Sequence, residues 1–452
     1  MEKLFKLKEH GTNVKTEVIA GVTTFLSMVY ILAVNPSILS AAGMEPGAVF
    51  TATAVSAAFA TLCMAFFANY PVALASGMGL NAYFAYSVCV PMAEAGIQNP
   101  YQIALTAVLV EGIIFIVLSL FKFRETLVNK VPANLKLGIT AGIGLFIALV
   151  GLKGAGIVIG SESTLVDMGK VASPQFVLAI VGLLLIGVLH HYKVTGYILW
   201  GILATWVLGM IAQLAGWYVV DVENAAYSLF PDFSNYSVVP AAPHFMEFNF
   251  DYVFTHIPEF LIIVFSFLFV DIFDTVGTLI GVAQKGELLD EEGNLPKAGG
   301  ALMADAVGTV VGACLGTSTV TSYVESSTGV SAGGRTGLTS VVTAILFVVC
   351  LVLSPIFLAI PGFATTPALV FVGLLMMSSV LRMDFTSDIA DTIGGFMAII
   401  MMPFTYSIAN GIMFGIVSWI ILKLCMGKVK DIHPVMWVAG ALFVLRIVTM
   451  II

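Results

Sequence analysis

Residues Leu315–Gly337 read LGTSTVTSYVESSTGVSAGGRTG. The stretch is long enough to cross a bilayer and has hydrophobic runs on both sides, yet it is no ordinary membrane helix. Thr317–Ser322 is β-branched and hydroxylated, Glu325 sits in the middle, and the Gly/Ser-rich remainder ends at Arg335. Polar, glycine-interrupted backbone at membrane depth is tolerated only where protein or a water-filled cavity surrounds it. Interrupted segments of this kind point to the binding sites of transporters. The stretch therefore predicts a site, with the rest of the chain built around it.

The composition agrees. Of 452 residues, 59% are hydrophobic and only 10% charged, with a mean hydropathy of +1.03. Soluble domains carry about 25% charged residues, so the chain reads as a polytopic membrane protein. A net charge of −8 gives no basic footprint for nucleic acid. Cys63, Cys89, Cys314, Cys350 and Cys425 lie far apart in or beside apolar runs, without a CxxC, and read as small buried hydrophobes. Clustered His or Cys with metal-ligand spacing and HExxH are both absent from the sequence. No metal, cofactor or enzymatic chemistry is expected. The N-terminus, MEKLFKLKEHGTNVKTE, is basic but runs into a full-length span with no small-residue cleavage site, unlike a signal peptide.

A membrane helix needs about 20 apolar residues. On that measure spans fall near 17–40, 47–68, 70–88, 101–123, 133–151, 175–191 and 196–218, then near 256–281, 297–315, 317–333, 337–360, 365–382, 388–404 and 406–425. The expected architecture is an all-α polytopic protein of fourteen transmembrane segments, with spans 3 and 10 part extended and part helical. Residues 1–218 form one seven-span repeat and 250–425 the second. With Lys3, Lys6, Lys8 and Lys15 in the cytoplasm, alternation puts Lys122, Arg124, Lys130, Lys193, Lys285, Lys297, Arg335, Arg382, Lys423, Lys428 and Lys430 on the same side. Only Lys153 and Lys170 fall clearly outside, and Trp217–Asn249 contains neither Lys nor Arg.

Seven is odd, so the second repeat must be inverted. Traces of the symmetry survive: KVTGYILWGILATWVLG resembles TYSIANGIMFGIVSWIIL. NYPVALASGMGLNAYFAY has the grammar of span 10, an extended run (Pro71–Ala75 or Thr317–Ser322), then small residues, a polar side chain (Asn81 or Glu325) and a helical remainder. The apolar run 433–452 contains Arg446, which is costly at the bilayer centre. It is expected as a helix along the cytoplasmic face, with both termini cytoplasmic. Gly286–Pro296 reads as a solvated acidic loop.

Acids inside spans are functional hypotheses by default. Asp271 and Asp274, three apart in FSFLFVDIFDTVGTLIG, share one helix face. Glu325 lies in span 10, Asp305 in span 9 and Glu111 in span 4; the last two read as interhelical hydrogen bonders. Close carboxyls without basic partners cannot all ionise, so Asp271, Asp274 and Glu325 are candidates for proton coupling. Asn81 supplies a two-way amide, and Tyr323 and Val324 lead into Glu325. Tyr83, Phe84, Phe273 and Tyr323 are near enough in sequence to stack on a planar ligand. Carboxyls with an amide suit a neutral, planar, NH-rich heterocycle and do not suit an anion.

The motifs GTNVKTEVIAGVTTFLSMVYILAVNP, ASGMGLNAYFAY, FVDIFDTVGTLIG, ADAVGT and YVESSTGVSAGGRTGLTS together resemble the AzgA-like purine permeases of the nucleobase–cation symporter superfamily, from about residue 9 to the C-terminus. The resemblance implies two inverted seven-span repeats divided into a core domain (about 16–123 and 256–360) and a gate domain (about 124–218 and 365–425). It implies uptake of hypoxanthine, guanine or adenine with protons across the cell membrane, and a homodimer. The family's binding positions fall on Asn81, Asp271, Asp274 and Glu325. In the xanthine and uracil branches an Asn-Gly follows the acid or Gln of span 10. Here Glu325 is followed by Ser326-Ser327-Thr328-Gly329, which favours the purine branch. A uracil or xanthine symporter, or a passive facilitator of a small neutral solute, is the alternative.

Overall fold

The structure is a computed structural model that describes residues 2–120, 131–161, 163–221, 227–231, 239–289, 295–386 and 388–451. Lys122, Arg124, Lys130, the 123/124 boundary, part of the acidic loop and the side chains of Phe273 and Arg446 lie outside the described residues.

Among the described residues, eleven helices are long and apolar enough to cross a membrane. They are Val14–Ala42, Pro46–Phe67, Pro100–Leu120, Ala133–Gly154, Pro174–His191, Tyr197–Leu214, Ile257–Lys285, Ala298–Leu315, Gly337–Leu358, Gly362–Arg382 and Ile408–Cys425. Ile389–Phe404 is a shorter apolar helix. The two remaining segments are part strand and part helix. The third runs from β1 (Leu74–Ser76) into Met78–Ala82, a π-helical stretch Tyr83–Cys89 and Val90–Glu94. The tenth runs from β4 (Val320–Ser322) into Ser326–Ser331. The described residues thus supply fourteen segments. A small antiparallel hairpin, β2 (Val158–Ser161) and β3 (Leu165–Met168), sits in the connection after the fifth.

Helix ends are set by local chemistry. Asn13 accepts from Thr16 N at 3.0 Å, and Glu45 accepts from Gly47 N and Ala48 N ahead of Pro46. Ser173, Thr336, Asp388 and Ser407 cap later segments in the same way. At Asp388 the ammonium groups of Lys428 and Lys423, 2.8 and 2.9 Å away, hold the carboxyl well below the usual carboxylate range. This ties the start of the thirteenth segment to the end of the fourteenth.

Packing follows two sets. The second segment carries the ninth and eleventh, the first carries the eleventh and the tenth half-helix, and the fourth packs on the ninth and eighth. Separately, the fifth carries the twelfth and thirteenth, the fourteenth packs on the thirteenth, and the sixth on the seventh and twelfth. Close approach within the second set depends on small residues. Gly138 lies against Gly395, and a Cβ on Gly144 would sit 2.6 Å from Gly373 O.

β1 and β4 cross as an antiparallel pair with Leu74 opposite Ser322, Ala75 opposite Thr321 and Ser76 opposite Val320. Gly77 N→Thr319 O and Tyr323 N→Ala73 O, both 3.0 Å, extend the ladder. Two strands leave open edges, which at this depth must be satisfied by protein. Hydroxyls do it: Thr61 Oγ1 accepts from Leu74 N and donates to Leu74 O, Thr309 Oγ1 donates to Val320 O, and Ser326 Oγ accepts from Ala73 N. The Ser/Thr-rich sequence is therefore the means by which a strand persists inside a helical protein.

The C-terminal run forms one helix, Pro434–Ile451. Phe443 meets Phe265, well inside the eighth segment, with centroids 5.5 Å apart, and Gly440 lies against Ile420 of the fourteenth. Apolar contact draws the helix against these two segments.

Candidate binding site

A cavity of about 1000 Å³ lies between the two packing sets. One wall is Thr23 and Ser27 of the first segment, Asp274, Thr278, Gly281 and Lys285 of the eighth, and Val324, Glu325 and Thr328 of the tenth. The spacing 274, 278, 281, 285 is one face of a helix. The opposing wall is Thr140, Tyr197, Val372, Met376 and Ser379. At its inner end a pocket of about 70 Å³ continues between the entries of the two half-helices, Gly77–Gly79 on one side and Ser322–Glu325 on the other, with Asp274 and Thr278 alongside.

Four of the six candidate residues meet here. Asp274, Val324 and Glu325 line both spaces, and Tyr323 lines the inner pocket, its hydroxyl donating to Ser76 O at 2.6 Å. Glu325 is 9% exposed and accepts a 2.6 Å hydrogen bond at Oε1 from the buried Tyr30 hydroxyl. That bond fixes one oxygen of a carboxyl that lines the cavity.

Asn81 and Asp271 sit elsewhere. Asn81 is fully buried; its Oδ1 accepts from Ser76 Oγ at 2.6 Å and from Ser318 Oγ, and its Nδ2 reaches Ser76 O at 3.4 Å. The amide therefore braces β1 against the approach to β4. Asp271 faces away from the cavity. Thr275 Oγ1 lies 3.2 Å from Asp271 Oδ1, 3.0 Å from both Asp305 oxygens and 2.8 Å from Thr321 Oγ1. Glu111 Oε2 accepts from Thr319 Oγ1 at 3.2 Å. These acids hold the strand crossing from behind, the interhelical role expected of Asp305 and Glu111. Tyr83 packs edge-on against Phe267, centroids 4.7 Å apart, and Phe84 is also buried against Phe267.

The sequence reading passed over two residues. Tyr30 lies in SMVYILAVNP, where the first helix is interrupted after Met28; a lone phenol at a helix break was the available signal. Glu17, at the start of the first span, is fully buried and accepts from Arg335 N (2.9 Å), Thr336 N (3.3 Å), Thr339 N (3.2 Å) and Thr339 Oγ1 (2.6 Å), capping the eleventh segment. Arg335 Nη1 donates to Val330 O and Gly334 O, closing the tenth half-helix.

A cavity thus lies between two packed sets of segments, with a broken-segment crossing and two carboxyls at its inner end. Residues 15–414 match the Permease family designated Xan_ur_permease, and the chain belongs to that family. It is 42% identical to the adenine permease AdeP of Escherichia coli K12 (99% of this chain, 96% of the relative). It is 43% identical to the guanine/hypoxanthine permease PbuO of Bacillus subtilis (98% and 99%). Among solved structures, the transmembrane domain of the cyanobacterial bicarbonate transporter BicA matches with a TM-score of 0.67 at 18% identity, over 88% of this chain and 97% of that one. SLC26A9 matches at 0.64 and 13%, over 92% and 66%. These likenesses establish the fold, two inverted repeats of seven segments.

Proposed function

We propose that the protein imports purine nucleobases, hypoxanthine, guanine or adenine, in symport with protons across the cell membrane. The observation that carries this is the convergence of Asp274 and Glu325, from two segments, on the inner end of one cavity. A protonated carboxyl both donates and accepts, whereas a carboxylate only accepts. Two carboxyls and the half-helix entries thus match the alternating donors and acceptors of a purine edge. Val324, Val372 and Met376 offer apolar faces to the ring. Relatives more than 40% identical over nearly the whole chain carry names that specify adenine and guanine/hypoxanthine.

The segments that carry the acids act as the core, about 16–123 and 256–360. The opposing wall belongs to the gate, about 124–218 and 365–425. Rocking of one against the other exposes the site alternately. The mouth carries Lys193, Lys285 and Arg382, which the positive-inside rule assigns to the cytoplasm together with the N-terminus, so the cavity is inward-facing. Loading the carboxyl pair with a proton at the outer face and releasing it inside couples import to the proton gradient.

The test is uptake of labelled hypoxanthine, guanine, adenine, xanthine and uracil into vesicles, with and without an inward proton gradient. Purine accumulation that collapses with a protonophore is expected. Uptake indifferent to the gradient would make the protein a facilitator, and preference for uracil or xanthine would move it to the other branch.

A further inference from the structure

The cavity is much larger than its inner end. Asp274 and Lys285 lie on one helix face eleven residues apart, about 16 Å at 1.5 Å per residue. Three cations from three different elements face the mouth. They are Lys193 in the turn after the sixth segment, Lys285 at the end of the eighth and Arg382 at the end of the twelfth, with His190 beside them. Topology places basic residues in such turns, and these three line one cavity.

Neighbouring cations on the same side are engaged. Lys423 and Lys428 reach Asp388 at 2.9 and 2.8 Å, and Arg335 binds carbonyl oxygens. Among the described residues lining the cavity, the acids are Asp274 and Glu325, at the far end from the mouth. Ser331, Thr195 and Ser378 add hydroxyl donors near the cations. A mouth of one charge sign focuses anions there, and Lys and Arg together with hydroxyls are the natural partners of a phosphate.

We propose that the mouth is a phosphate site and that the whole cavity takes a purine nucleoside monophosphate from the cytoplasm. The base enters toward Asp274 and Glu325, and the phosphate is held by Lys193, Lys285 and Arg382. This rests on the purine reading of the inner end. A free base leaves the mouth empty, and a free phosphate leaves the acids unmet; a ribose joining the two spans the distance. Such a ligand wedges between the two walls and blocks their closure. Import is thereby inhibited by the product of the reaction class that joins the imported base to a ribose phosphate.

The test uses the purified full chain. Equilibrium dialysis measures binding of labelled AMP, GMP and IMP, of the matching nucleosides and bases, and of inorganic phosphate. Each nucleotide is also added to the exposed cytoplasmic face of inside-out vesicles during base exchange. The monophosphate is expected to bind at least about tenfold tighter than its nucleoside, to weaken with added salt, to be displaced by free base and to inhibit exchange. The triple variant K193Q/K285Q/R382Q loses that margin while base binding and exchange persist. The charge-conserving K193R/K285R/R382K keeps it, which separates charge from folding.

Nucleotide binding no tighter than nucleoside, or unchanged in the Gln variant, overturns the proposal. Binding of phosphate alone that base does not displace also overturns it, leaving a plain anion site. A parent that binds the nucleotide but transports no base overturns the purine-import reading instead and leaves the mouth site standing.

Discussion

Replacing Glu17 with alanine removes the acceptor that closes the start of the eleventh segment. In the parent, one carboxylate gathers three backbone N–H groups and a hydroxyl, from Arg335 and Thr336 in the connection after the tenth half-helix and from Thr339 in the first turn of the eleventh segment. Thr339 N retains a second acceptor, Thr336 O at 3.2 Å, so the full loss falls on Arg335 N and Thr336 N. A buried donor left unsatisfied costs about 1–3 kcal/mol, which puts Glu17→Ala at about 2–6 kcal/mol. The Thr339 hydroxyl, 2.6 Å from Oε2, adds to it. Glu17→Gln retains one oxygen and should cost about half as much.

The damage extends to the site, because Glu325 and Glu17 are tied to opposite ends of the same half-helix through Tyr30 and Arg335. Thermal unfolding of the purified protein and purine binding on the same samples are the measurements. The expected order is parent, then Gln, then Ala for both, with Thr339→Val adding less to Glu17→Ala than to the parent. An Ala variant that melts and binds like the parent would refute the capping account.

Tyr30→Phe removes the hydrogen bond to Glu325 while keeping the ring. A hydrogen bond to a charged group contributes about 1.5–3 kcal/mol, and this one is made without ligand, so stability should fall by about that much and binding should weaken as Glu325 loses its fixed position; unchanged melting temperature and affinity would detach Tyr30 from the site. Asn81→Ala strands the Ser76 and Ser318 hydroxyls and should lower thermal stability together with binding; lost binding at unchanged stability would return the amide to the ligand. Tyr406 sits in the left-handed region at φ 50°, its ring 5.3 Å from Phe146 and 6.0 Å from Tyr86, with Lys153 Nζ 4.6 Å above it, on the side away from the mouth. Each aromatic pair is worth about 0.5–1.5 kcal/mol, so Tyr406→Ala should raise labelling of an engineered Met376→Cys by an impermeant thiol reagent from the extracellular face; an unaltered labelling rate would mean that these rings do not seal that side.

Periodicity could reveal the segment count because bilayer thickness imposes it. It could also reveal the broken segments, since Thr317–Ser322 has the wrong chemistry for a membrane helix. The strand pair followed from that chemistry, although β1 lies at Leu74–Ser76, slightly later than the predicted Pro71–Ala75. What periodicity could not give was the direction of each polar side chain. Asp271 and Asp274 share a broad helix face, yet the packing of the ninth segment divides them, turning Asp271 to Thr275 and Asp305 and leaving Asp274 to the cavity. Asn81 reads as a ligand from its two-way amide and from the family resemblance; the hydroxyls that engage it come from Ser76 nearby and from Ser318, a contact across the crossing that local sequence does not display. The contact of Phe443 with Phe265 has no local signature in the C-terminal run.

The central proposal is that the Asp274/Glu325 pair reads the purine and carries the coupled proton, with Glu325 as the member that must titrate. Binding and pH-driven uptake measured side by side on Glu325→Gln test it most directly, because glutamine keeps a donor and an acceptor but cannot titrate. The account predicts purine binding near that of the parent, with accumulation against the gradient abolished and exchange of base for base retained. A Glu325→Gln protein that still accumulates purine on a proton gradient as the parent does would contradict it.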